Sequence, residues 1–226
     1  MKSAYTLPVV IVLGGVIIAV AVYFSVAKNA PLISGTAGNP ALVRPVSVSD
    51  HILGNPAAKV MIVEYSDFDC TFCKGFSETL HQIIANEGAT GKVAWVYREF
   101  PLTEIHPNAM NHARAAECVA ETAGNDAFWK FADSLFANQP VDPTRYGALA
   151  QAAGVSGNAF ATCYANAATT VDARIMADRQ NALAIGARGT PYSLILVAGQ
   201  MPIVMDGAYS YAAVKQLVEQ ALAKAY

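Results

Sequence analysis

Charge is scarce in this sequence, and none of it is arranged to hold a nucleic acid. Lysine plus arginine number 15 against 17 aspartates and glutamates, only 14% of the chain, for a formal charge of −2. The basic stripe that a nucleic-acid surface requires is therefore missing. No internal repeat and no low-complexity tract interrupts the chain. Histidine is confined to His51, His81, His106 and His112. His106 and His112 do not share a helix face, and no Cys/His pattern has the spacing of a structural zinc site. The four are read as solvated or capping residues, and neither a metal nor another cofactor is expected.

One stretch lacks charge altogether. Leu7 to Ala27 holds no charged residue, and at the helical rise it reaches about 31 Å, enough to cross the hydrocarbon core. Lys2 and the α-amino group precede it, which favours a cytoplasmic N-terminus. Uncleaved, residues 1–27 form a signal-anchor, a transmembrane helix. Cleaved after Ser25-Val26-Ala27, they would be a signal peptide and the remainder soluble. The apolar stretch exceeds the ~7–15 residues of an ordinary signal-peptide core, so the anchor is favoured. Either way the rest of the chain is exported, to the periplasmic side of the membrane. Residues 28–50, with Pro31, Pro40, Pro45, glycines, serines and no sustained periodicity, read as a linker. Residues 51–226 are an ordinary size for one domain.

Cysteine is also sparse, and all four copies (Cys70, Cys73, Cys118, Cys163) follow the apolar segment, in a compartment that permits disulfides. Four cysteines allow three pairings that sequence alone does not resolve. Cys70 and Cys73 can bridge locally, leaving Cys118 and Cys163 either to bond each other or to stay as buried free thiols. A bond between them would close a 45-residue loop.

The apolar, β-branched run Lys59–Ser66 reads as a buried strand. Cys70–Asn86 then shows the helical period, with Phe72, Phe76, Leu80 and Ile83/Ile84 on one face. A strand thus delivers Cys70 and Cys73 to the first turn of a helix. Unpaired N–H groups and the dipole stabilise a thiolate there, and the thiolate is the reactive form of cysteine. Val93–Phe100 is a second strand, completing a right-handed parallel βαβ unit. Residues 104–187 are expected to be a helical insertion of four or five helices. Ser193–Val197 and Pro202–Met205 make an antiparallel hairpin, and Tyr211–Ala225 a closing helix. The fold class is α/β. Glu64, inside the first strand, is a buried carboxylate whose raised pKa would let it shuttle the Cys73 proton. Asp67 and Asp69 are read as turn and N-cap residues. Met201 and Met205 are assigned to the core, as is Trp95. Phe68, Phe72 and Tyr192 are placed in an apolar groove that binds unfolded peptides.

Glu64–Asp69 before Cys70-Thr71-Phe72-Cys73, Arg98-Glu99-Phe100-Pro101-Leu102, His106-Pro107-Asn108 through Cys118, and Gly189-Thr190-Pro191 together resemble the DsbA-like thiol–disulfide oxidoreductases. The resemblance covers residues 51–226. It implies a thioredoxin-like fold with a helical insertion, Cys70 as the surface-facing nucleophile and Cys73 as its buried partner. It also implies an acidic proton carrier at Glu64 and a cis peptide at Thr190-Pro191 beside the disulfide. The implied activity is disulfide formation in reduced, unfolded exported polypeptides, with a quinone-linked membrane protein restoring the oxidised pair. Many members carry proline and histidine between the cysteines; here Thr71 and Phe72 stand there. Phe72 cannot supply a histidinium's charge, so a weaker oxidant is expected. The alternatives are a reductase or isomerase, or a copper- or client-binding module without turnover.

Overall fold

A computed structural model describes residues 38–225. Its centre is strand β2 (Val60–Ser66), which pairs in parallel with β3 (Val93–Glu99) and antiparallel with β4 (Tyr192–Val197). Two short edge strands complete a five-stranded sheet ordered β1-β3-β2-β4-β5: β1 (His51–Gly54) beside β3, and β5 (Ile203–Asp206) beside β4. Both faces of the central strands are covered, which is why they read as continuous apolar runs rather than alternating ones. Val60, Ile62, Val93, Trp95 and Ile195 face one core, and Val63, Tyr65, Val96 and Leu194 face the other. This is the mixed α/β, thioredoxin-like architecture with a helical insertion.

The first face packs against α1 (Thr71–Asn86), the C-terminal α8 (Tyr211–Ala225) and the insertion. The insertion comprises six helices: α2 (Ala109–Ala123), α3 (Asn125–Ala137), α4 (Tyr146–Ala152), α5 (Gly157–Ala165), the single turn α6 (Ala167–Thr170) and α7 (Asp172–Ile185). Of these, α7 crosses to the second face, where Ala182 and Ile185 join the core. A disulfide joins Cys118 on α2 to Cys163 on α5, with the Cα atoms 5.6 Å apart.

The described part of the segment expected as a linker is docked instead. Gly38 crosses Gly186 so closely that a Cβ at Gly38 would fall 1.9 Å from the Gly186 Cα. Asn39 N–H donates to Ala184 O, and the Arg44 guanidinium reaches Asp178 at 2.7 Å. Asp50 meets the buried Arg98 through Nε at 2.9 Å. Burial pushes the Asp50 carboxyl up, but the hydrogen bond and charge of Arg98, the Ser47 N–H and the charge of Arg44 together outweigh it and hold the pKa below the ordinary value. The stretch read as an anchor, residues 7–27, lies outside the described residues. Among the described residues no helix is long and apolar enough to cross a membrane.

Several side chains sit elsewhere than their sequence neighbourhood suggested. His51 is buried, bonded to Glu117 at 3.0 Å and stacked on Phe128. His112 is buried as well. Neither is a solvated histidine, because a carboxylate accompanies each into the interior. Met201 is exposed in the β4–β5 turn, while Met205 is buried in β5.

Candidate active site

The site forms where β2 ends. Ser66 closes the strand, Asp67 Oδ1 accepts the Asp69 N–H at 2.8 Å, and the Cys70 N–H donates to Asp67 O at 3.1 Å. That tight turn places Cys70 at the N-cap of α1, with extended backbone (φ −76°, ψ 120°) and no side chain capping the helix. The first-turn N–H groups are therefore open to the Cys70 sulfur itself. Cys73, one turn on, starts the buried stripe Cys73, Phe76, Leu80 and Ile83. The stripe was expected to begin at Phe72. Spacing alone allowed either phase, and the structure turns Phe72 outward, 69% exposed, so that Cys73 takes the inner position.

Cys70 and Cys73 are both free thiols. Cys73 is fully enclosed, and Cys70 keeps 6% of its surface, a narrower opening than a surface-facing nucleophile suggests. Cys70 Sγ lies 3.4 Å from the Thr190 carbonyl oxygen, to which its thiol donates. The Thr190-Pro191 peptide is cis, and the loop carrying it abuts Cys70. The Cys73 thiol donates to Cys70 and lowers its pKa most. Burial opposes this, while the Thr190 side chain and the N–H groups of Cys73 and Phe72 lower it further, to about 6. Cys70 is therefore mostly thiolate at neutral pH. Cys73 is pushed well above the ordinary thiol value by burial, by its bond to Cys70 and by the nearby charges of Glu64 and Cys70. The pair is thus differentiated, one sulfur ionised and the other protonated.

Glu64 lies in β2 on the face that packs against α1. It is fully buried, and neither carboxyl oxygen has a hydrogen-bond partner among the described residues. Burial raises its pKa to about 8, partly offset by Ser66 and Trp95 and reinforced by the charge of Cys70. At pH 7 the carboxyl holds a proton. The ordinary value is 4.5, so the unfolded carboxyl ionises first. Between those two values unfolding releases a proton, and stability falls as pH rises through that window. A Glu64→Gln variant of the reduced protein is expected to be roughly 3 kcal/mol more stable than wild type at pH 7. The two should be equal at pH 4 in urea titrations. A difference that does not change with pH would contradict a buried neutral carboxyl.

Two of the three residues placed in a peptide groove are not there. Phe68 is buried, stacked on Tyr97 and tilted against Phe136. Tyr192 is buried in the second core, its hydroxyl donating to Ile185 O at 3.3 Å. Only Phe72 is presented to solvent, and Ile105 is exposed likewise.

Other residues gather here to which the sequence reading gave no role in the site. Gln139 Nε2 donates to Phe68 O at 2.5 Å and Cys70 O at 3.2 Å, bracing the turn from the insertion. His106 Nδ1 bonds Asp67 Oδ2 at 2.9 Å, and His112 Nε2 bonds Asp69 Oδ1 at 2.8 Å, with the Tyr146 hydroxyl on its other nitrogen. No spacing rule joins Gln139 to the motif. The two aspartates followed by two histidines were the one sequence signal available.

Residues 47–220 match the model of a protein family described as thioredoxin. Among solved structures, the chain is similar to oxidised BdbD of Bacillus subtilis, with a TM-score of 0.67 and 23% identity over 82% of this chain and 97% of that one. It is similar also to α-DsbA1 of Wolbachia pipientis, with a TM-score of 0.70 and 20% identity over 83% and 97%. These likenesses show the fold. A curated relative, Na(+)/H(+) antiporter NhaA 1 of Mycolicibacterium gilvum (strain PYR-GCK), is 33% identical over 155 residues, 66% of this chain and 24% of that protein. The chain spans about a quarter of that relative's length.

Proposed function

The chain belongs to the thioredoxin family, and on that premise we propose that it is a thiol–disulfide oxidoreductase that introduces disulfides into reduced, exported polypeptides. The observation that carries this reading is the division of labour at the start of α1. Cys70 is acidic, beside the cis-proline loop and at the surface opening, while Cys73 is protonated and enclosed next to the neutral Glu64. A substrate thiolate attacks Cys70 Sγ of the oxidised pair. A substrate–Cys70 bond forms, the Cys70–Cys73 bond breaks, and the electron pair leaves on the Cys73 sulfur, which takes the Glu64 proton. A second substrate thiolate then attacks the substrate sulfur of the mixed disulfide. Product disulfide departs, and Cys70 leaves as the stabilised thiolate. Two electrons have passed from two substrate thiols to the pair. Stabilising the thiolate stabilises the reduced protein and makes the disulfide more oxidising, which favours this direction.

Residues 7–27 are proposed to tether the domain to the membrane on its extracytoplasmic side, with a quinone-linked membrane protein restoring the disulfide. The uncharged run in the sequence supports the tether.

The test is oxidative refolding of a reduced, unfolded disulfide protein in excess oxidised glutathione. Substoichiometric protein is expected to raise the rate of recovery over glutathione alone. An unchanged rate, or tight stoichiometric copper uptake without exchange, would contradict the reading.

A further inference from the structure

Two aspartates stand beside Cys70, and their charges oppose a thiolate. Each is met by a histidine from the segment that follows β3: Asp67 by His106, and Asp69 by His112. Phe72, between the cysteines, cannot supply a compensating charge. Asp67 touches the nucleophile's turn at several points. Its carbonyl accepts the Cys70 N–H, Oδ1 accepts the Asp69 N–H, and Oδ2 takes both the Leu102 N–H (2.8 Å) and His106.

We propose that His106, oriented by Asp67, is a positioning residue whose imidazolium reinforces the Cys70 thiolate that Cys73 and the helix start already favour, supplying from the insertion the positive charge that the dipeptide between the cysteines lacks. The inference rests on the exchange reading above. Geometry carries it. His106 is 23% exposed on its side chain, so it exchanges protons with solvent, whereas its Asp67 partner is sealed. His106 meets Asp67 directly at 2.9 Å, and the charges of Cys70 at the head of α1 and Asp69 in the turn act on it as well. On its own segment Glu104 is engaged by Arg179 of α7 at 3.0 Å. Burial disfavours the imidazolium, but the bond to Asp67 and the charges of Asp67, Cys70 and Asp69 prevail and raise the His106 pKa. Around neutral pH the imidazolium and the Cys70 thiolate coexist and attract. As pH rises and His106 loses its proton, Asp67 is left uncompensated beside the thiolate, whose stabilisation weakens. Cys70 acidity and the potential of the pair are therefore coupled to a residue outside the motif.

The test is the pH dependence of iodoacetamide alkylation at Cys70, with the glutathione equilibrium of the pair, in wild type, His106→Gln and His106→Lys. Glutamine keeps a donor to Asp67 and removes the charge; lysine restores a charge. At pH 6, His106→Gln is expected to react about threefold more slowly than wild type and to match it at pH 9, and its equilibrium should shift toward the disulfide. His106→Lys should return toward wild type in both. A wild-type profile that is acidic but unchanged in His106→Gln overturns this inference alone. Equal losses in His106→Gln and His106→Lys overturn it too, since they indicate shape rather than charge. A wild-type Cys70 that titrates like free cysteine removes the exchange reading itself, and this inference with it.

Discussion

A Cys73→Ser variant given oxidised glutathione is expected to collect as a stable mixed disulfide through Cys70, while a Cys70→Ala variant forms none. The Cys70 thiolate attacks one glutathione sulfur, the S–S bond breaks, and the second glutathione leaves as thiolate. In wild type, Cys73 is held one helical turn away and displaces the bound glutathione, closing the pair. That step is intramolecular and pre-aligned, so without it release should slow by at least about 10³-fold. Oxidative refolding turnover should fall with it. Intact mass before and after incubation reads the outcome directly, as one added glutathione per chain. Adducts on Cys70→Ala, or none on Cys73→Ser, would reverse the roles assigned to the two sulfurs.

Removing the Cys118–Cys163 disulfide by a Cys118→Ala/Cys163→Ala double substitution is expected to cost about 4 kcal/mol of stability. The bond spans 45 residues of sequence, and opening it gives the unfolded chain back the freedom of that loop. Both cysteines are buried between α2 and α5, so the substitutions also lose packing. Urea denaturation with the pair at 70 and 73 kept reduced measures the cost, and a loss under about 1 kcal/mol would show that the bond is incidental. The loss also bears on the site. Both α2, which carries His112, and the segment before it, which carries His106, hold the aspartates of the active turn. A looser insertion is a looser hold on Cys70.

The βαβ start and the closing helix were legible in the sequence because each couples a strong period to a clear boundary. The β-branched run at 60–66 could only be a covered strand, and Tyr211–Ala225 falls where the helical pattern put it. Strand β1 was not legible: four residues at an edge, partly exposed, carry no usable period. The 38–50 segment looked like a linker because prolines and glycines dominate its local pattern. What docks it is a set of distant charges, Arg44 to Asp178 and Asp50 to Arg98, and local periodicity carries no trace of those. The insertion gained a helix for a similar reason, since Ala167–Thr170 is a single turn too short to show a period.

The site was legible to the same degree. Cys70, Cys73, Glu64 and the Thr190-Pro191 loop converge because the strand ends and the helix start bring them together. Phe68 and Tyr192 were misplaced because proximity to a motif says nothing about which way an aromatic ring turns. Tyr97, Phe136 and the second core decide that, and they are remote in sequence. His106 and His112 were read as solvated or capping histidines, and their carboxylate partners emerged only when the chain was folded.

The most direct test of the account is the thiolate absorbance of the reduced protein near 240 nm, followed from pH 4 to 10 with the Cys118–Cys163 bond intact. The structure calls for one thiolate appearing with a midpoint of about 6 and the second only well above the ordinary thiol range. Two thiols ionising together at about 8.5, the value of free cysteine, would contradict it.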